Sequence, residues 1–331
     1  MGGGAAAFAY TAGWLSPGRL TPARLVDALA PQSGPALGYR RNHAKGVCFT
    51  GTFEANGAGV SLSKAQVFAP GRYPVTGRFN LGTPDPKVVD ATVRVRGISL
   101  QVRTPDGQEW RTAMTDLPFL PVATPEAFYE LLVASGRKED PNAIKRFAAA
   151  HPEFAAFGAW AASAPFTQSY AEERYNGLNS FIFTNASGDD HVVRWSLVPA
   201  ARPVHISANE MKARASDFLE REIGDRVAAG PQRWTLSVTV AEPGDPTADP
   251  SKPWPESRRT IDVGVLQVDR VQPEADGPCR EVNFDPTVLP SGMRTSDDPF
   301  PAARSAAYSV SYNRRTSEAD RYPRTTTEAP R

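Results

Sequence analysis

A chain of 331 residues can bury a large core in one β-rich domain or two ordinary ones, and 40% hydrophobic with 22% charged residues excludes a disordered or fibrous chain. A net charge of +1 offers no long-range field, so nucleic acid and other polyanionic partners are not expected. Two cysteines, Cys48 and Cys279, build neither a disulfide framework nor a CxxC metal site, although one bridge between them stays open; 31 prolines and 26 glycines favour strands and irregular connections over a helical bundle.

Met1–Leu15 is a short apolar run without the basic n-region of a signal peptide or the length of a membrane span. It targets nothing as written, and reads equally as the trimmed end of a longer export or membrane leader. The location would then be periplasmic, and otherwise cytoplasmic. Thr21-Pro22-Ala23 heads an apolar-periodic stretch through Leu29, which predicts a short capped helix within an N-terminal arm, residues 1–35.

From Gly46 to Val102 the pattern changes to short segments rich in valine, phenylalanine and threonine. Val47–Phe53, Gly59–Val67, Tyr73–Phe79, Ala91–Ile98 and Ser99–Val102 are expected as strands of an antiparallel barrel or sandwich. Helices follow, with Thr124-Pro125-Glu126 opening Phe128–Ala134, then Pro141–Ala150. Asn179–Thr184 and His191–Pro199 form a predicted hairpin around Asn185-Ala186-Ser187-Gly188, and Ser207–Ala229 has helical period up to a stop at Gly230-Pro231. Trp234–Ala241 and Thr260–Val271 alternate as strands around a proline-rich loop, 243–255. The polar tail, residues 316–331, is expected to fray. No repeat or linker divides the chain, so residues 36–315 read as one domain.

Two stretches carry chemistry. Arg40-Arg41-Asn42-His43-Ala44-Lys45-Gly46 places a histidine beside arginines ahead of a strand, which alone describes an ordinary surface as well as a site. Arg304 lies four residues before Tyr308, so on a helix its guanidinium reaches the phenol, where a cation favours the anionic oxygen. A tyrosinate is a recognised axial ligand of haem iron, but an arginine covering a tyrosine is also commonplace.

Taken together, Arg-x-x-His-Ala-Lys-Gly, Arg-x-x-x-Tyr and the landmarks between them resemble the haem catalase family, across about residues 36 to 315. Those landmarks are Gly77-Arg78-Phe79-Asn80, Pro250-Ser251-Lys252-Pro253-Trp254-Pro255 behind Asp249, and Asn283-Phe284-Asp285-Pro286 with Pro290 and Gly292. The likeness is closer to the small catalase-related peroxidases, which lack the C-terminal helical domain. It implies an α+β, mainly β fold, a catalase-type antiparallel β-barrel with inserted and flanking helices, holding haem b.

Residue by residue, the resemblance makes His43 the distal acid–base group, Tyr308 the iron ligand, Arg304 its partner and Phe128 the ring stacked on the haem. It makes Arg40, Arg78 and Arg315 the propionate clamps, whose fork geometry suits carboxylates. Two distal positions depart from the family. Thr115 stands where an asparagine orients peroxide, with Asp116 beside it. Asn42 replaces an apolar neighbour of the histidine, and either supplies an amide to peroxide or bonds the backbone. Asn80 stands where a serine holds the histidine ring.

The function implied is a haem peroxidase that reduces hydrogen peroxide or organic hydroperoxides through a high-valent oxo-iron intermediate, with small organic electron donors and weak residual catalase activity. A homo-oligomer is compatible with it. Two other readings compete: a hydroperoxide isomerase similar to the catalase-like allene oxide synthases, and a haem-binding protein without turnover. Donor dependence and product analysis separate them.

Overall fold

The computed structural model of the protein describes residues 18–325, so the apolar N-terminal run and the last six residues lie outside the described residues. Eight antiparallel strands form a closed barrel: β1 (Gly46–Ala55), β2 (Gly71–Leu81), β3 (Arg96–Arg103), β4 (Glu109–Thr115), β5 (Tyr175–Thr184), β6 (Asp190–Pro199), β7 (Gln232–Val240) and β8 (Thr260–Pro273). Each strand pairs with the next, β4 and β5 through a single residue pair, and β8 returns to β1, which closes the barrel. A three-residue strand, β9 (Met293–Thr295), adds to the outer half of β5.

Alternating burial explains the strands. In β4 the sequence Glu-Trp-Arg-Thr-Ala-Met-Thr buries every second residue, and in β6 Val193, Trp195 and Leu197 point inward. Phe49, Phe79, Trp110, Trp195 and Trp234 fill the interior, with Trp110 and Trp195 meeting edge to face at 5.2 Å. The interior is a packed core at one end, and the functional cavity lies outside it.

Among the described residues seven helices flank the barrel: α1 (Pro22–Ala28), α2 (Pro125–Gly136), α3 (Ala143–Ala150), α4 (Phe154–Ser163), α5 (Ala208–Lys212), α6 (Phe218–Ala229) and α7 (Phe300–Ser317). The caps read from the sequence are present. Thr21 accepts from the Arg24 amide, and Thr124 accepts from the Ala127 amide. The hairpin turn at 185–188 also forms, with Gly188 at φ 90°.

Three expected elements differ. Gly59–Val67 is two 3₁₀ turns rather than a strand, because Gly59 lies against the Phe68 ring and the Tyr73 hydroxyl donates to the carbonyls of Gln66 and Ala69. The strand expected from Ala91 begins only at Arg96, since buried Asp90 pairs with Lys45 and accepts from the Leu219 amide, holding Asp90–Thr92 in a 3₁₀ turn. The long helix expected over Ser207–Ala229 is two helices broken between Lys212 and Phe218. The tail does not fray as far as it is described: Glu318 binds the Gly38 amide and Arg41, and Tyr322 stacks on Tyr39.

Cys48 and Cys279 form a disulfide between β1 and the segment after β8, across 231 residues of sequence. We expect replacement of both by alanine to lower stability by about 2–4 kcal/mol, since so long a loop is closed. Denaturant unfolding with and without reductant measures this, and equal midpoints would contradict it.

Candidate active site

The cavity lies between one end of the barrel and helices α1, α2 and α7, where apolar Val26, Leu120, Phe128, Leu178 and Phe300 share its wall with the residues singled out in the sequence. His43, Asn42, Thr115, Arg40, Arg78, Phe128, Arg304, Tyr308 and Arg315 all line it. Segments separated by more than 250 residues therefore converge on one space.

His43 is the single non-glycine residue with positive φ among the described residues, at 53°, in the left-handed region where histidine is uncommon. Three contacts hold it there. Asn42 Oδ1 accepts from its amide at 2.9 Å, its carbonyl accepts from Arg78 at 2.7 Å, and its Nδ1 meets Asn80 Oδ1 at 2.6 Å. The amide oxygen of Asn80 can only accept, so Nδ1 carries the hydrogen and Nε2 keeps its lone pair. Nε2 has no protein partner among the described residues. Of the two outcomes read for Asn42, its carbonyl oxygen takes the backbone one.

Two glycines make room for this support. A Cβ on Gly46 would come within 2.8 Å of the Arg78 guanidinium carbon, and one on Gly97 within 2.4 Å of Asn80 Oδ1. Burial, with Arg78, Arg304 and Arg40 nearby, lowers the His43 pKa to about 4 against the opposing bond from Asn80. The imidazole is therefore neutral at pH 7 and available as a base.

Across the cavity, α7 presents Arg304, Tyr308, Tyr312 and Arg315. Arg304 Nη2 donates to the Tyr308 hydroxyl at 3.1 Å and to the Ala113 carbonyl at 3.0 Å, while Nη1 donates to Asn179 Oδ1 at 2.7 Å. This guanidinium also closes a gap in the barrel. Strands β4 and β5 pair only at Thr115 and Asn176, and Arg304 bridges β4 to β5 just beyond that pair. Asp298 keeps Asn179 in place by accepting from its Nδ2 at 3.0 Å, and it also takes the Phe300 amide at the start of α7. Neither Asn179 nor Asp298 stood out in the sequence, where Asn179 opens a predicted strand and Asp298 follows Asp297 in a polar segment.

The three expected clamp arginines come together, but most of their donors already have protein partners. Arg40 binds Glu274 at 3.1 Å and the carbonyls of Cys279, Arg280 and Val282. Arg78 places both terminal nitrogens on His43, Ala44 and Glu274, the last at 2.6 Å, and keeps only Nε without a partner. Arg315 donates to the Arg280 carbonyl at 2.6 Å. Burial raises the Glu274 carboxyl, but Arg78 and Arg40 outweigh it and the net shift is downward. Arg40 is lowered to about 9 by burial and its cationic neighbours, and stays protonated at neutral pH. Glu274 was missed in the sequence because a lone glutamate after a strand carries no signal.

Thr115 lines the cavity, and its Oγ1 is buried and lacks a hydrogen-bond partner. Its neighbour Asp116 turns away, accepting from the Arg96 amide; burial and Glu173 raise its carboxyl to about 7.

A family model described as Catalase matches residues 9–322. The chain belongs to the catalase family. It is 33% identical over 311 residues to a catalase-related peroxidase of Synechococcus elongatus, covering 92% of this chain and 91% of that relative. A catalase-related peroxidase of Mycolicibacterium paratuberculosis is also 33% identical, over 301 residues, with 90% and 96% covered. Among solved structures, a bacterial catalase superposes with a TM-score of 0.75 at 18% identity, over 88% of this chain and 60% of that one. This catalase-family protein is thus an oxidoreductase acting on peroxide, on a catalase-type barrel that spans 60% of that bacterial catalase chain.

Within the site, Glu274 is the test of the arginine cluster. Glu274→Ala leaves two buried guanidiniums without their carboxylate and should destabilise the fold by about 3–5 kcal/mol. A denaturant midpoint within experimental error of the parent's would show that the carboxylate is dispensable.

Proposed function

We propose that the chain is a haem-dependent peroxidase that reduces hydrogen peroxide or organic hydroperoxides with small organic donors, and that releases oxygen only weakly. One observation carries this reading: a neutral histidine with a free Nε2 and a tyrosine backed by a guanidinium face the same cavity. The residues present fit a haem. Tyr308 is a recognised ligand type for the iron, the apolar walls with Phe128 suit a flat macrocycle, and the orphaned Thr115 hydroxyl suits a small polar ligand. Tyr308 would hold the iron, while Arg40, Arg78 Nε and Arg315 present cationic charge for carboxylates.

When bound, haem supplies the electrons and oxidising capacity of the reaction. The chain's own groups move the proton. His43 Nε2 takes it from one peroxide oxygen and returns it to the other, so that the second oxygen leaves as water. Asn80 fixes the tautomer this requires, and the rigid contacts at 42, 43 and 78 keep the ring from turning away. Arg304 Nη2 donates to the Tyr308 oxygen and so fixes the direction of the phenol toward the cavity.

Thr115 supports peroxidase over catalase action. Oxygen release requires orienting a second peroxide, and one rotatable hydroxyl orients it less firmly than a fixed amide. The Cys48–Cys279 bridge supports placement in an oxidising compartment, the periplasmic branch of the expectation from sequence.

Tyr308→Phe should abolish or severely weaken haem ligation, and an unaltered ferric absorption spectrum would sink the assignment. His43→Ala should keep haem yet react with peroxide about 10²–10⁴-fold more slowly. In the parent, the histidine is active when deprotonated, so kcat/KM for peroxide should stay level from pH 8 to 5 and fall only as pH approaches 4. A limb near 6.5 would contradict this. Thr115→Val removes one hydroxyl with little change of shape and should lower kcat/KM for peroxide about tenfold, the worth of one hydrogen bond; stopped-flow rates matching the parent's would exclude a contact with peroxide.

A further inference from the structure

Behind the arginine wall of the cavity, Tyr39 and Tyr322 stack with ring centroids 4.0 Å apart and planes inclined by 21°. Both are half-buried, so each keeps an edge toward solvent. Tyr39 directly precedes Arg40, a cavity residue. Arg280 lies over the Tyr322 ring at 4.7 Å and donates to the Tyr322 carbonyl, while its own carbonyl accepts from Arg40 and Arg315. Arg315 in turn lies over Tyr312, a phenol on the cavity wall, at 4.8 Å. A short run of contacts therefore joins a solvent-facing pair of phenols to the peroxide cavity.

The pair is built rather than casual. Glu318 grips the arm through the Gly38 amide at 2.9 Å and Arg41 at 2.5 Å. Gly38 has φ +80°, and a Cβ there would lie 2.9 Å from Tyr322 Cβ, so a side chain would separate the rings. Burial and the nearby Glu274 carboxylate raise both phenols above their ordinary pKa, which keeps them protonated.

Phenols are among the protein groups most readily oxidised by one electron, and an offset stack spreads the resulting charge deficit over two rings. A donor larger than peroxide need not then enter the cavity. We infer that the stacked Tyr39–Tyr322 pair is the site at which small phenolic or arylamine donors give up electrons, relayed inward to the peroxide cavity. The inference rests on the peroxidase reading above.

The balance is that of a two-electron peroxide reduction. Hydrogen peroxide and two donors give two waters and two donor radicals. In each half, a tyrosine loses an electron toward the cavity and its phenolic proton to water, and the donor's O–H or N–H returns both to the tyrosine. The oxygen–oxygen bond is the one broken, and the two electrons and two protons complete the second water.

The test uses the haem-loaded chain and the variants Tyr39→Phe, Tyr322→Phe and both together, with Tyr129→Phe as a control on α2. Phenylalanine preserves the stack, so thermal midpoints should stay near the parent's. Guaiacol oxidation should fall at least tenfold in the double variant, while the peroxide-driven change in the haem spectrum keeps its rate. In the parent treated with peroxide and a nitroso spin trap without donor, peptide mass spectrometry should find the adduct on Tyr39 or Tyr322, and the double variant should lose it. Unchanged guaiacol oxidation in the double variant, or an adduct confined to other residues, would overturn the inference. A parent haem spectrum that does not respond to peroxide would instead overturn the peroxidase reading, and the relay with it.

Discussion

Buried Glu274 is the contact on which the site's geometry depends. Its two oxygens bind Arg40, which precedes His43 in sequence, and Arg78, which lies on β2. Without a counter-charge these guanidiniums would repel one another in a poorly solvated place. With it, Arg78 turns its other nitrogen to the His43 carbonyl and holds a backbone conformation that histidine seldom adopts. The disulfide tethers the same region, because Cys279 stands in the segment whose carbonyls receive Arg40 and is bonded to β1 beside the histidine loop.

Arg304 performs a comparable service on the opposite wall. The barrel is weakly laddered between β4 and β5, since Asn176 alone meets β4 and β9 takes over the far half of β5. One guanidinium spans the weak seam and also meets the Tyr308 oxygen. The opening that admits α7 to the barrel wall is therefore also what aligns its tyrosine. Stability and chemistry share these residues, so substitutions at Arg304, Asn179 or Asp298 act on both.

Much of this was legible from residues alone. The barrel strands follow from alternating apolar positions, and the helix starts at Thr21 and Thr124 from their caps. The pairing of Arg304 with Tyr308 follows from helical spacing, whereas Asn80 as the histidine's partner came only from the family resemblance. Elsewhere local pattern misled. Gly59–Val67 has strand composition, but tertiary contacts from Phe68 and Tyr73 fold it into turns. Strand β4 went unrecognised because charged Glu109 and Arg111 open its outward face and only Trp110, Thr112 and Met114 point inward. The tail looked frayed from composition, whereas Glu318 and Tyr322 reach back across the chain to the arm.

The sequence by itself determined antiparallel strands of a barrel or sandwich and the Arg304–Tyr308 pair, which rest on local periodicity and helical spacing, while the closed barrel and the residue types at its two poles followed from the resemblance that its ordered landmarks carry. Tertiary structure alone decided how those types are supported. That Glu274 neutralises Arg40 and Arg78, that Asn179 seats Arg304, that Asn42 bonds backbone and that Tyr39 meets Tyr322 all depend on contacts between remote segments. Charge and stacking act through distance in space, and no spacing along the chain encodes those distances.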